Sequence, residues 1–169
     1  MTRPLTTEAA EYYFKYIDLI TSDNIVPEFE KQMGETLQFL SGISEEQSLH
    51  SYEPGKWTIR EVLNHVNDGE RVFAARAFWF GRGFTDALPS FDQDIAVRAS
   101  HANNTSWADL VEEFKIVRLG TISFFKSLPE EAWSRTGIAS DNPVTVKALA
   151  YIIAGHVSHH VSVLQEKYL

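Results

Sequence analysis

Between Thr145 and Lys167 apolar side chains recur at the spacing of an α-helix, and histidines lie on the same face. Gly155-His156-Val157-Ser158-His159-His160 holds three of the six histidines of the chain. A helix turns by roughly 100° per residue, so His156 and His160 stand one above the other with His159 beside them. Leu149, Ile152, Ile153, Val157, Val163 and Leu164 share that half of the helix, whereas Lys147, Ser158, Ser162 and Gln165 fall opposite. The imidazoles therefore face a core. There each ring needs partners for both nitrogens, because an unsatisfied buried polar group costs about 1–3 kcal/mol. A metal ion satisfies several rings together, and hydrogen bonds between stacked core histidines are the plain alternative.

Composition limits what else can take part. The chain has no cysteine, which excludes disulfides, thiolate nucleophiles and Cys-bound zinc and leaves His and carboxylate as metal donors. A net charge of −8, with Lys and Arg scattered, argues against nucleic-acid binding. At 169 residues and 44% hydrophobic, with eleven Phe, the chain is expected to form one domain around one core. The N-terminus lacks an apolar signal core and no run is long enough to cross a bilayer, so a cytoplasmic protein is expected, with no membrane partner.

Four long helices follow from the periodicity. A first stretch from Glu8 to Ile20, capped by Thr7, ends at Ser22-Asp23-Asn24. Val26 to Leu40 is the first long helix, with Pro27 in its first turn and Gly42 beyond its end. Thr58-Ile59-Arg60-Glu61 is a capping box, flanked by Trp57 and Val62, and starts a helix that runs to Phe80. A long connection from Phe84 to Asn104 carries a short helix near Ile95 to Ala99. Ser106 caps a third long helix reaching Leu128. Glu130 to Trp133 makes one turn, Gly137 to Pro143 reads as a loop, and Thr145 caps the last helix. No strand-like alternation of useful length occurs. The expected architecture is all-α: an antiparallel-type four-helix bundle with a long crossover connection, in which metal sites lie between facing helices.

A His pair at i and i+4 can hold one divalent ion from a single rigid segment, and a third donor then comes from another helix. His65 is the candidate, with Glu61 and Asp68 as acceptors for its free N–H. His159 either replaces His160 as ligand, acts as a base, or stands at the rim. Asp94, with Asp92, is a candidate carboxylate ligand or general base, against the reading of a charged surface loop. Arg71 and Arg76 either bind an anionic substrate or form surface ion pairs. Tyr12, Tyr13 and Tyr16 read as packing residues of an N-terminal arm, and His50 and His101 as solvated. No nucleophile-elbow serine and no His-Glu-x-x-His are present, which argues against a serine triad and a zincin.

Lys56 to Arg71 (Lys-Trp-Thr-Ile-Arg-Glu-Val-Leu-Asn-His65-Val-Asn-Asp68-Gly-Glu-Arg), then Phe91-Asp92-Gln93-Asp94, then Gly155-His156-x-x-His159-His160, resemble in order and separation the DinB-like superfamily. The resemblance spans nearly the whole chain. It implies a four-helix bundle, often a homodimer, with nickel or zinc on three histidines, which by position are His65, His156 and His160. It also implies a metal-dependent hydrolase, or a transferase or isomerase using a low-molecular-weight thiol such as bacillithiol or mycothiol. The expected function is thus a metal-dependent enzyme whose open coordination position activates water or such a thiol for attack on a small-molecule substrate. The rival is a non-enzymatic metal-binding stress-response bundle that acts through a protein partner.

Overall fold

A computed structural model of the protein describes residues 2–169. Its elements are α1 (Phe14–Ile17), α2 (Ile25–Ser41), α3 (Ile59–Gly81), α4 (Gln93–Ser100), α5 (Trp107–Lys126), a hairpin of β1 (Thr136–Ala139) and β2 (Asn142–Thr145), and α6 (Val146–Lys167). Among the described residues no helix is long and apolar enough to cross a membrane.

The helix starts follow local chemistry. Thr58 Oγ1 accepts from the Glu61 amide while Glu61 Oε2 accepts from the Thr58 amide, so the box closes as expected. Ser106 Oγ accepts from the Asp109 amide and Thr145 Oγ1 from the Ala148 amide, which opens α5 and α6. Asp92 caps α4 through Oδ1, accepting from the amides of Asp94 and Ile95.

The bundle is formed by α2, α3, α5 and α6, with α3 packed on α5 and α6, and α2 also on α5 and α6. Of the helices consecutive among these four, α2 and α3 lie diagonally, as do α5 and α6, whereas α3 and α5 are neighbours. Gly81 approaches Val146 while Tyr168 donates to the Trp57 carbonyl, so α3 and α6 are antiparallel. Phe29 meets Phe125 and Trp107 donates to the Leu40 carbonyl, which makes α2 and α5 antiparallel as well. Asn67 meets Leu110 and Phe78 meets Phe124, so α3 and α5 run parallel. Parallel neighbours need a connection that returns along the bundle, and residues 82–106, with α4 inside them, provide it. The bundle thus mixes parallel and antiparallel neighbours, where an antiparallel type was expected.

Two other expectations are corrected. The stretch Glu8 to Ile20 is a 3-10 turn, Glu11–Tyr13, followed by the single-turn α1, with no side-chain cap from Thr7. It docks because Gly155 opens the α6 surface: a Cβ there would lie 2.1 Å from the Tyr16 carbonyl oxygen. The loop from Gly137 to Pro143 is instead an antiparallel hairpin, with Ala139 opposite Asn142 and a turn at Ser140-Asp141, both at positive φ (51° and 62°). Leu88 bridges to it, donating to the Ile138 carbonyl and accepting from the Ser140 amide. That contact ties the α3–α4 connection to the end of the bundle.

The core splits into two apolar clusters. One gathers Phe29, Phe80, Phe125, Leu149 and Ile153, and the other Leu40, Ile59, Leu110, Phe114 and Leu164. Between them lies a polar layer. Arg118, fully buried on α5, donates from Nε and Nη2 to the Glu70 carboxylate of α3 at 2.8–3.1 Å, and from Nη1 to Gln32 Oε1 of α2 at 2.7 Å. Gln32 Nε2 in turn reaches the Ala154 carbonyl and Ser158 Oγ of α6. All four bundle helices share this network.

Candidate metal centre

His65 stands on α3, and His156 and His160 on the facing α6. The antiparallel α3–α6 pair brings His156 Nε2 to 3.0 Å from His65 Nε2 and 3.1 Å from His160 Nε2. His65 and His156 are buried and His160 is half-buried. Close approach depends on Gly69, one turn beyond His65, whose added Cβ would lie 2.9 Å from His156 Cε1. Tyr16 and Phe73 meet the His156 ring edge-on at 5.3 and 6.0 Å, and Trp57 packs on His65 at 5.0 Å.

Two separate two-centre hydrogen bonds cannot both be made here. A ring nitrogen carries either one hydrogen or one in-plane lone pair, yet His156 Nε2 faces two others. An ion about 2.0–2.1 Å from each nitrogen spaces tetrahedral neighbours by about 3.3 Å, close to what is seen. Charge favours the same reading. Burial lowers His65 to about 4, against a raising pull from the Asp94 carboxylate, and lowers His160 to about 3, helped by His65 and His159. His156 is pushed well below its ordinary value, by burial first and then by the other histidines. All three are neutral near pH 7, which is the ligating form. Among the described residues these three form the group with metal-ligand spacing, every donor within 4.8 Å of the others. The donor set fits a divalent ion.

The remaining candidates fall as follows. Glu61 and Asp68 do not accept from His65. Glu61 is engaged by the Thr58 amide and by Asn103 Nδ2, Asp68 by Asn64 and Arg71, and His65 Nδ1 is buried with no partner among the described residues. Their carboxylates are held by the cap and by surface pairing, which leaves the buried Nδ1 at the cost of an unsatisfied polar atom. Burial also raises the pKa of Asp68. His159 lies outside the three-nitrogen group, 5.0 Å from the His160 ring and 5.4 Å from Tyr16, and burial and then Lys15 lower its pKa. Asp94 is exposed in the first turn of α4 and acts on His65 through charge, without a hydrogen bond. His50 and His101 are exposed.

Arg71 pairs with Asp68 and Glu113 at the surface. Arg76 does not: it is 5% exposed and forms no ion pair among the described residues. It lines, with His65, Gly69, Phe73 and His156, a cavity of about 120 Å³ beside the histidines. Tyr12, Tyr13 and Tyr16, expected only to pack, form another wall of it. The polar layer of Gln32, Glu70 and Arg118 was missed in the sequence, although each takes a core slot in its helix's ladder, as Arg118 does between Phe114 and Thr121.

Comparison with known proteins agrees with this picture. The chain is similar to YfiT from Bacillus subtilis, described as a probable metal-dependent hydrolase with an unusual four-helix bundle topology, at a TM-score of 0.70 and 15% identity over 96% of this chain and 89% of that one. It is also similar to the mycothiol-dependent maleylpyruvate isomerase, at a TM-score of 0.70 and 12% identity over 86% of this chain, which spans 61% of that enzyme. At such identities the likeness shows the fold. No curated protein sequence matches the chain significantly. The family profile of the DinB superfamily matches residues 28–164, and the chain is a member of that superfamily.

Proposed function

We propose that the protein is a metal-dependent enzyme in which His65, His156 and His160 hold one nickel or zinc ion. The observation that carries this reading is the convergence of three neutral imidazole nitrogens from two helices, two of them, His65 and His156, on the wall of a cavity. When bound, the ion supplies Lewis acidity, lowering the pKa of a coordinated water or low-molecular-weight thiol so that its anion exists near neutral pH. The chain's own residues do the rest. Gly69 leaves room for the His156 ring, Tyr16 and Phe73 pack edge-on against it, and Tyr12, Tyr13 and Tyr16 form one wall of the cavity. Asp94 and His159, at the edge of the histidine group, are the proton acceptors of this scheme. A cavity next to the donors favours an enzyme over a binding bundle that acts through a partner, because a structural site is closed on all sides. The protein acts as a cytoplasmic homodimer on this reading.

Elemental analysis by mass spectrometry of untagged protein tests it, beside His65→Ala and His156→Ala. About one nickel or zinc per chain is expected, lost in both variants. No bound metal after incubation with excess zinc or nickel overturns it, and a gain of thiol transfer or hydrolysis on metal loading separates the enzyme from the binding bundle.

A further inference from the structure

The cavity beside the histidines is lined by no carboxylate, yet it holds a cation. Arg76 is 5% exposed, and both of its hydrogen bonds leave from Nη2, to the Pro89 carbonyl at 2.8 Å and Ser140 Oγ at 3.1 Å. Neither acceptor carries charge. Nε and Nη1 donate to nothing among the described residues, and neither is sealed from solvent as the orphaned His65 Nδ1 is. The lining residues Tyr12, Tyr13, Val72, Phe73, Phe91 and Gln93 bring no negative charge. A guanidinium withdrawn from water without a counter-charge is costly, and elsewhere in this core the protein meets that cost in full: Arg118 has Glu70.

Arg76 shares the cavity lining with His65 and His156. It lies seven residues beyond Gly69, on the same face of α3 and about 10 Å along the axis, and helical side chains lean toward the N-terminus. The Phe73 ring joins the two ends. The guanidinium carbon is 5.8 Å from its centroid, and the His156 ring centroid is 6.0 Å from it.

We infer that Arg76 is the binding residue for the carboxylate of a small organic acid, held in the cavity with its carbon skeleton on Phe73 and the tyrosines and its far end at the histidines. A single guanidinium matches a planar monoanion, whereas a dianionic phosphate would leave charge uncompensated in the cavity. The inference deepens the function proposed above and rests on it only for what happens at the far end. The carboxylate belongs either to the electrophile or to the thiol that attacks it.

Binding is measured by NMR titration at pH 7.5 on the full chain, first metal-free, with phenylacetate and crotonate beside phenylacetamide and crotonamide. The acids are expected to shift the amides of Gly69 and Ser140 and to bind at least tenfold more tightly than the amides, a comparison within the unaltered protein. Arg76→Gln is expected to weaken acid binding at least tenfold with the fold intact by circular dichroism, and Arg76→Lys to keep part of it. In zinc-loaded protein, crotonate and mercaptoacetate separate the sources, since Arg76 dependence of the first marks the electrophile and of the second the thiol. Equal binding of acids and amides, wild-type acid binding by Arg76→Gln, or no binding of either acid overturns the proposal. Acid binding through Arg76 in a protein that takes up no metal would leave this anchor standing and remove the proposed ion. Metal uptake with acids indifferent to Arg76 would do the reverse.

Discussion

Gly69→Ala sets two effects against each other. In a helix interior alanine is favoured over glycine by about 0.8–1 kcal/mol, so on propensity alone the change stabilises α3. The new Cβ, however, would stand 2.9 Å from His156 Cε1 and 3.3 Å from Nδ1. That ring is 4% exposed and wedged between Tyr16 and Phe73, so it cannot retreat without moving both. Overpacking of a core costs about 1–3 kcal/mol. The net change is a loss of about 0–2 kcal/mol in metal-free protein by urea unfolding. The larger effect falls on the ion, because His156 Nε2 is the nitrogen next to both others. Misplacing a ligand's support costs about 10–100-fold in metal affinity, read by competition with a chromophoric zinc chelator. Gly34→Ala is the control, since Gly34 is exposed on α2 with nothing within 4 Å of an added Cβ and should gain about 0.8–1 kcal/mol. If Gly69→Ala matches that gain and binds zinc as the wild type does, the close packing of α3 on His156 does not hold.

Acid should destabilise the metal-free protein. The unfolded chain takes up protons near the ordinary histidine value of 6.5, whereas folded His65 does so only near 4 and His160 near 3. Stability is therefore flat above pH 6.5 and falls as the pH drops from there toward 4, by about 2–3 kcal/mol from His65 alone. Urea midpoints that stay constant from pH 7.5 to 5 would contradict this. Arg118→Ala leaves the Glu70 carboxylate buried without its partner and should cost about 3–5 kcal/mol, while Arg118→Met with Glu70→Leu should recover most of that loss. A single substitution costing under about 1 kcal/mol would show that water compensates the buried charge.

What could be read from the sequence was what is encoded locally. The Thr58 box, the Ser106 and Thr145 caps and the histidine face of α6 each depend on residues within two turns, and the structure has them where the periodicity predicts. The hairpin escaped because its turn is Ser140-Asp141, without the glycine that usually marks positive φ. The N-terminal arm was read as a longer helix because its fold is set by docking against Gly155, a tertiary fact. The neighbour relations of the helices, and whether Arg76 and Arg118 find a carboxylate partner, depend on what stands opposite in space. An arginine in an apolar ladder reads as surface until its partner, or the lack of one, is known.

The separation of His65 from His156 by 91 residues gives the histidine group a further property. Closing a loop of that length costs little more entropy than closing a shorter one, but it delays the contact until the bundle has folded around it. A partly folded chain offers only the His156–His160 pair of one helix, a weak two-point chelator. Three-point binding at the proposed site would therefore report that α3 and α6 have docked. An ion that demands three nitrogens discriminates finished molecules from unfinished ones, and its binding energy acts entirely on the last step of assembly.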